Sequence, residues 1–246
     1  MKRFAFFLSM VIGIIAFQET NAQAPDWTRV LQFNTFGTHS VNVVTAGADS
    51  IYAAVSISSN ISFEGTNLTC VGLKDMVLIK TNNAGDVSWI KQVNANSNGT
   101  IYANAIKSDV LGNVYVSGVF SGTTTIGNST IISDVTSNSF VAKFDADGNG
   151  LWATSFLSTG SGSSRIAIDA SGNSYLISNT NKLMKFNASG VKQWEQSYTN
   201  KTLQAIAIYG SNLYLGGCLQ AGTTSFGTIL LNSTGVVNSY TIKSSL

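Results

Sequence analysis

Apolar and polar residues alternate along this chain in short runs, and the runs recur in a fixed order. The fullest set lies in 112–152, GNVYVSGVFSGTTTIGNSTIISDVTSNSFVAKFDADGNGLW. Within it Phe140, Ala142 and Phe144 fall on one face and Val141 and Lys143 on the other. A period of two, with Val, Ile, Thr and aromatic residues between Gly/Asn/Asp punctuation, predicts β-strands rather than helices.

Shifting this stretch back by 63 residues places it on 50–89 without a gap. Ile51-Tyr52 then meets Val114-Tyr115, Lys80 meets Lys143 and Trp89 meets Trp152. A third copy runs from Gly172 to Trp194 and lacks the segment between the tyrosine and lysine strands. A fourth carries Asn212-Leu213-Tyr214 and Ser239-Tyr240-Thr241-Ile242-Lys243. Each unit predicts four short strands. The first is a small apolar run (Val41–Val44, Ala103–Ile106, Ile166–Ile168, Ala205–Ile208); the second carries the tyrosine, the third the lysine and the fourth the tryptophan. The inserts 56–75, 121–139 and 219–238 are rich in Thr, Ser, Gly and Asn and predict loops or short extra hairpins.

A repeated four-stranded antiparallel unit of roughly 40–50 residues is the blade of a β-propeller. The expected fold is therefore an all-β propeller, with units at about 40–93, 101–157, 164–199 and 203–246. Asp26-Trp27-Thr28-Arg29-Val30-Leu31 matches the fourth-strand segment Ser88-Trp89-Ile90-Lys91-Gln92-Val93. The last unit supplies only three strands before Leu246. The expectation is a ring of four blades, closed by residues 26–33 pairing beside Tyr240 as the missing fourth strand. Closure would leave no unpaired sheet edge. A larger ring from two chains or a longer parent protein is the alternative.

The pattern from Asp109 to Ala153, DxxGNVYVSGxFSGT…FVAKFDxxGNxxWA, resembles the SBBP-type bacterial β-propeller repeat. The match is fullest in the second unit, good in the first and fourth, and eroded in the third. The resemblance implies a propeller in an exported or cell-surface protein, and no general catalytic motif comes with it.

Composition changes this picture in three places. Lys2-Arg3, the apolar run Phe4–Phe17 and Thr20-Asn21-Ala22 read as a secretory signal peptide cleaved after Ala22. The run is shorter than the ~20 residues of a spanning helix, so residues 23–246 are expected outside the cytoplasm with no membrane span. Charged residues are only 11% of the chain, and no basic stripe occurs, which argues against nucleic acid as a partner. Cys70 and Cys218 occupy different positions in the repeat, so free, buried thiols fit better than a disulfide.

Candidate chemistry is sparse. Asp145, Asp147 and Asn149 are spaced like the start of a calcium loop, but Phe156 stands where the bidentate carboxylate belongs. The matching turns 82–86 and 187–190 read as hairpin turns, which explains all three. The single histidine, His39, has no nucleophile elbow to serve, and 160–163 is a Ser/Gly loop. Asp49, Asp109 and Asp169 occupy equivalent turns after the first strand, where structural roles explain them better than catalysis. Trp27, Trp89, Trp152 and Trp194, with Tyr52, Tyr115, Tyr175 and Tyr214, could form a sugar-stacking platform; their recurrence fits packing between blades better.

The function expected is an exported, monomeric, non-catalytic binding module for a glycan or protein ligand, without a cofactor or a metal. A structural spacer or fragment of a larger surface protein is the alternative, and a polysaccharide-acting hydrolase or lyase a more distant one. The first test is export. N-terminal sequencing of secreted material should begin at Gln23 or one residue later; an intact Met1 would refute the signal peptide.

Overall fold

The structure is a computed structural model describing residues 39–47, 49–133, 137–157, 165–199, 201–226 and 228–246. The chain divides into two units, Met1–Val30 and Leu31–Leu246, and every described residue belongs to the second. The expected signal peptide and the segment 26–33 lie outside the described residues.

The described residues form strands and connecting turns only. The first sheet contains β1 (His39–Ala46), β2 (Ser50–Ile57), β5 (Asp75–Asn82) and β6 (Val87–Val93), in the order β1-β2-β5-β6. Between β2 and β5, β3 (Ile61–Phe63) and β4 (Thr66–Leu68) form a separate hairpin. The second sheet repeats the plan with β7 (Thr100–Ser108), β8 (Val114–Ser121), β11 (Asn138–Phe144) and β12 (Gly150–Phe156). Its inserted hairpin is β9 (Thr123–Ile126) and β10 (Ser129–Ile132). The third sheet, β13 (Arg165–Ile168), β14 (Ser174–Ile177), β15 (Lys182–Phe186) and β16 (Lys192–Ser197), has no insert. The fourth has three strands among the described residues: β17 (Lys201–Tyr209), β18 (Asn212–Phe226) and β19 (Ile229–Ser245).

All neighbours within a sheet are antiparallel. The first strands are longer than the apolar runs that mark them. The last insert also departs from expectation. It forms neither a loop nor a separate hairpin, because β18 and β19 stay paired from Asn212↔Ser245 out to Phe226↔Ile229. Gly122 at φ 74° separates β8 from β9, whereas Gly222 at φ 118° is absorbed in a bulge. Beyond that bulge the β-prone Thr223-Thr224-Ser225-Phe226 continues the ladder.

Successive sheets pack face to face. Ala54, Met76 and Leu78 of the first sheet meet Ile106, Val116 and Phe140 of the second. Tyr115, Val141 and Phe156 of the second meet Ile166, Leu176 and Phe186 of the third. Tyr175, Ile177 and Leu183 of the third meet Leu203, Leu215 and Tyr240 of the fourth. The inserted hairpins extend these cores at their outer ends: Ile126 and Ile131 join the first interface. Ile61, Phe63 and Leu68 cover Val55, Ile57, Val77 and Ile79 on the front of the first sheet. Each layer is thus the core of its neighbours, which suits an array of repeats. Among the described residues the sheets do not close into a circle.

The turn between the third and fourth strands is the same in three sheets. Asn82, Asp145 and Asn187 each accept from the glycine three residues on, at 2.9–3.0 Å. Those glycines, Gly85, Gly148 and Gly190, have φ of 84°, 78° and 82°. A Cβ on Gly190 would lie 2.6 Å from the Trp152 ring, while one on Gly65, at φ 76°, would meet nothing within 4 Å. Gly190→Ala should therefore cost more than Gly65→Ala in urea unfolding, where backbone strain alone is worth about 1–3 kcal/mol.

Candidate functional site

The aromatic residues singled out by the repeat sit at the joints between sheets. Tyr52, Tyr115 and Tyr175 are at most 2% exposed. Each stands opposite a lysine in the neighbouring strand: Lys80, Lys143 and Lys185. The ammonium groups lie 5.6, 4.9 and 5.1 Å from the ring centroids, within cation–π range. The tyrosine hydroxyls reach forward. Tyr52 donates to the carbonyl of Gly112 and Tyr115 to that of Gly172, both at 3.2 Å. Burial, with the nearby Asp109 carboxylate, pushes the Tyr115 phenol well above its ordinary pKa, so it remains a donor.

The tryptophans make the second half of each joint. Trp89 Nε1 donates to the carbonyl of Ala146 at 3.0 Å, and Trp152 Nε1 to that of Ala188 at 2.9 Å. Lys80 Nζ adds a bond to Ala146, and Thr154 Oγ1 one to Gly190. Every acceptor is a turn carbonyl of the next sheet. The chemistry that recurs is therefore a latch between neighbouring sheets.

At the third joint the latch is incomplete. Trp194 packs edge-on against Tyr175 but is 40% exposed, and its indole N–H finds no acceptor among the described residues. A cleft of about 560 Å³ opens there. Its walls include Trp194, Tyr198 and Phe226, with Lys185 beside them. Its far side belongs to the fourth sheet, including Leu246. In the first two joints a glycine turn lies against the indole; here no described residue takes that place. The arrangement offers a flat aromatic face, an N–H donor with no acceptor among the described residues, and one cation, Lys185. Such a face can take a planar or apolar group with polar edges.

The carboxylates have structural work. Asp109 Oδ1 accepts from the amides of Leu111 and Asn113, and Asp169 Oδ1 from those of Ser171 and Asn173. Asp49 differs from them: it sits later in its turn, which closes through Gly47 N to Ser50 O. In the candidate calcium loop, Asp145 Oδ1 accepts from Asp147 and Asn149 amides and Oδ2 from the Asn149 side chain. Burial raises the Asp145 pKa, but these bonds and Lys91 outweigh it and hold the carboxyl below its ordinary value. Among the described residues no three His, Cys, Asp or Glu side chains cluster as a metal site would require. His39 stands at the start of β1, and residues 160–163 and Trp27 lie outside the described residues.

Two buried charges carry no repeat signature. Asp75 is wholly buried and accepts from the amides of Val71, Gly72 and Ala95. It ties the first insert to the segment leading into the second sheet. Lys201, 7% exposed, lies over Phe226 at 3.9 Å and Tyr198 at 5.0 Å, and burial lowers its pKa. Cys70 and Cys218 are both free, as expected, but half-buried rather than buried. Cys70 Sγ donates to the carbonyls of Ile57 and Gly72, and burial, then Asp75, raises its pKa.

No family model matches the chain, and no curated protein matches it. The SBBP resemblance therefore rests on the repeat residues alone. Among solved structures, the chain is similar to a protein of unknown function from Bacteroides caccae, with 14% identity and a TM-score of 0.45. That alignment covers 82% of this chain and 61% of the other, so the chain spans less than two thirds of it. It is also similar to BamB from Moraxella catarrhalis, with 12% identity, a TM-score of 0.28, and 88% and 92% of the two chains covered. No helix among the described residues is long and apolar enough to cross a membrane.

The latch predicts an asymmetry between tryptophans. Trp152→Phe removes one bonded N–H and should cost about 1 kcal/mol in denaturant unfolding. Trp194→Phe should cost distinctly less, because its N–H has no acceptor to lose. Equal costs would refute the latch.

Proposed function

We propose that the chain is an exported, non-catalytic interaction module of β-propeller type, built from SBBP-like repeats. One observation carries the reading. The groups that could do chemistry at two joints are consumed in holding sheets together, whereas Trp194 and its neighbours are left as an open aromatic cleft. A glycan ring stacked on Trp194, or a protein loop seated there, is the ligand class that this surface fits. Lys185 at its edge favours a ligand with acceptor or anionic groups.

Two closures are compatible with these sheets, a ring of four blades within one chain and a larger ring of two chains; in either, the last sheet gains its fourth strand, along the outer edge of β19, from residues 26–33. A spacer role within a larger surface protein is the second reading, and it predicts no ligand at the cleft.

The test is a glycan array together with a search for surface-protein partners, each read against Trp194→Ala. Binding by the wild type that falls at least tenfold in Trp194→Ala supports the module. Unchanged binding, or none in either screen, favours the spacer.

A further inference from the structure

The first and last sheets each carry half of an inter-sheet joint. On the back of the fourth sheet, Tyr214 stands opposite Lys243, in the register of the three tyrosine–lysine pairs already described. Tyr214 is only half-buried and Lys243 is exposed. Beside them Ala205, opposite Gly216, is exposed; its counterpart Ala105, opposite Ser117 in the second sheet, is buried. Tyr209 on the same strand is 80% exposed.

The front of the first sheet is the matching half. Val41, Val44 and Ile51 are 55%, 58% and 40% exposed. They pair as Val41↔Val55, Val44↔Ala53 and Ala46↔Ile51, which puts them on one face. Their counterparts in the second sheet, Ala103, Ile106 and Val114, are at most 5% exposed because the first sheet covers them. Asp49 and Asn83, both exposed, hold the places where Gly112 and Ala146 receive the latch in the second sheet. Lys243 on one half and Asp49 on the other give the two halves opposite charge.

We propose that a second copy of this chain covers both halves. The back of the fourth sheet in one copy docks on the front of the first sheet in the other, and the reverse contact closes a ring of two chains. The contact continues a packing that the chain already builds three times, and in two of those joints the tyrosine of the pair bonds a turn of the next sheet. It is head-to-tail, and two head-to-tail contacts related by a two-fold axis close without leaving an end. Among the described residues no sheet of the same chain covers either half, and a second copy carries the matching surface for each. The proposal goes beyond ligand binding at Trp194 and does not depend on it.

The test is the oligomeric state of the secreted chain, measured by sedimentation velocity and mass photometry across the micromolar range. A dimer is expected. Lys243→Glu and Val44→Asp, on opposite halves, should each weaken it by about tenfold or more. Lys243→Glu combined with Asp49→Lys should regain part of the loss, while Trp194→Ala should leave the dimer unchanged. Circular dichroism and thermal unfolding confirm that each variant folds, as expected for exposed positions. A monomer at all concentrations overturns the proposal and favours closure within one chain. A dimer indifferent to both single substitutions overturns it too, and a series of higher oligomers overturns the two-chain ring.

Discussion

The structure depends on a hydrogen bond from an aromatic side chain to a backbone carbonyl of the next sheet. Trp89 and Trp152 give an indole N–H, and Tyr52 and Tyr115 give a hydroxyl. A blade cannot bury its own face, so it must be held to its neighbour. Apolar contact alone would let two flat sheets slide. Directed bonds into turn carbonyls fix the relative position of the sheets, because each donor must find one atom. The lysine over each tyrosine completes the arrangement by covering the ring on its otherwise open side.

The turns are as important as the donors. Gly148 and Gly190 adopt positive φ and leave room for the indole of the preceding sheet. Asp145 and Asn187 hold those turns through their own side-chain oxygens. A spacing that resembles a calcium loop is explained by this second role. The carboxylate oxygens are aimed at amides in the same turn, and the rigid turn then presents its carbonyl outward.

Much of this was legible in the sequence because strand patterns and side-chain identity repeat together. The tyrosine, lysine and tryptophan positions follow from the 63-residue shift, and each tyrosine does face its lysine. The acceptors were not legible, since a carbonyl has no residue identity to recognise. Asp49 does lie in the turn that corresponds to those of Asp109 and Asp169, though later in it. The last insert misled because Thr, Ser and Gly suggest a loop, whereas the ladder absorbed Gly222 as a bulge. Lys201 and Asp75 were invisible for another reason. Each is buried by partners specific to one sheet, so repetition carries no signal for it. The cleft at Trp194 arises from what the fourth sheet does not place against it, and a pattern search sees only the tryptophan.

The third sheet is the leanest of the four, with strands of four to six residues and no inserted hairpin. Every residue of β16 is exposed. In an array where each layer is stabilised only by adjacent layers, cooperativity is set by the weakest coupling, as in a one-dimensional lattice. The joint between the third and fourth sheets, where Trp194 has no acceptor among the described residues, is therefore where heat or force would first divide the molecule, while the Asp75-tied first pair stays together as one folding block.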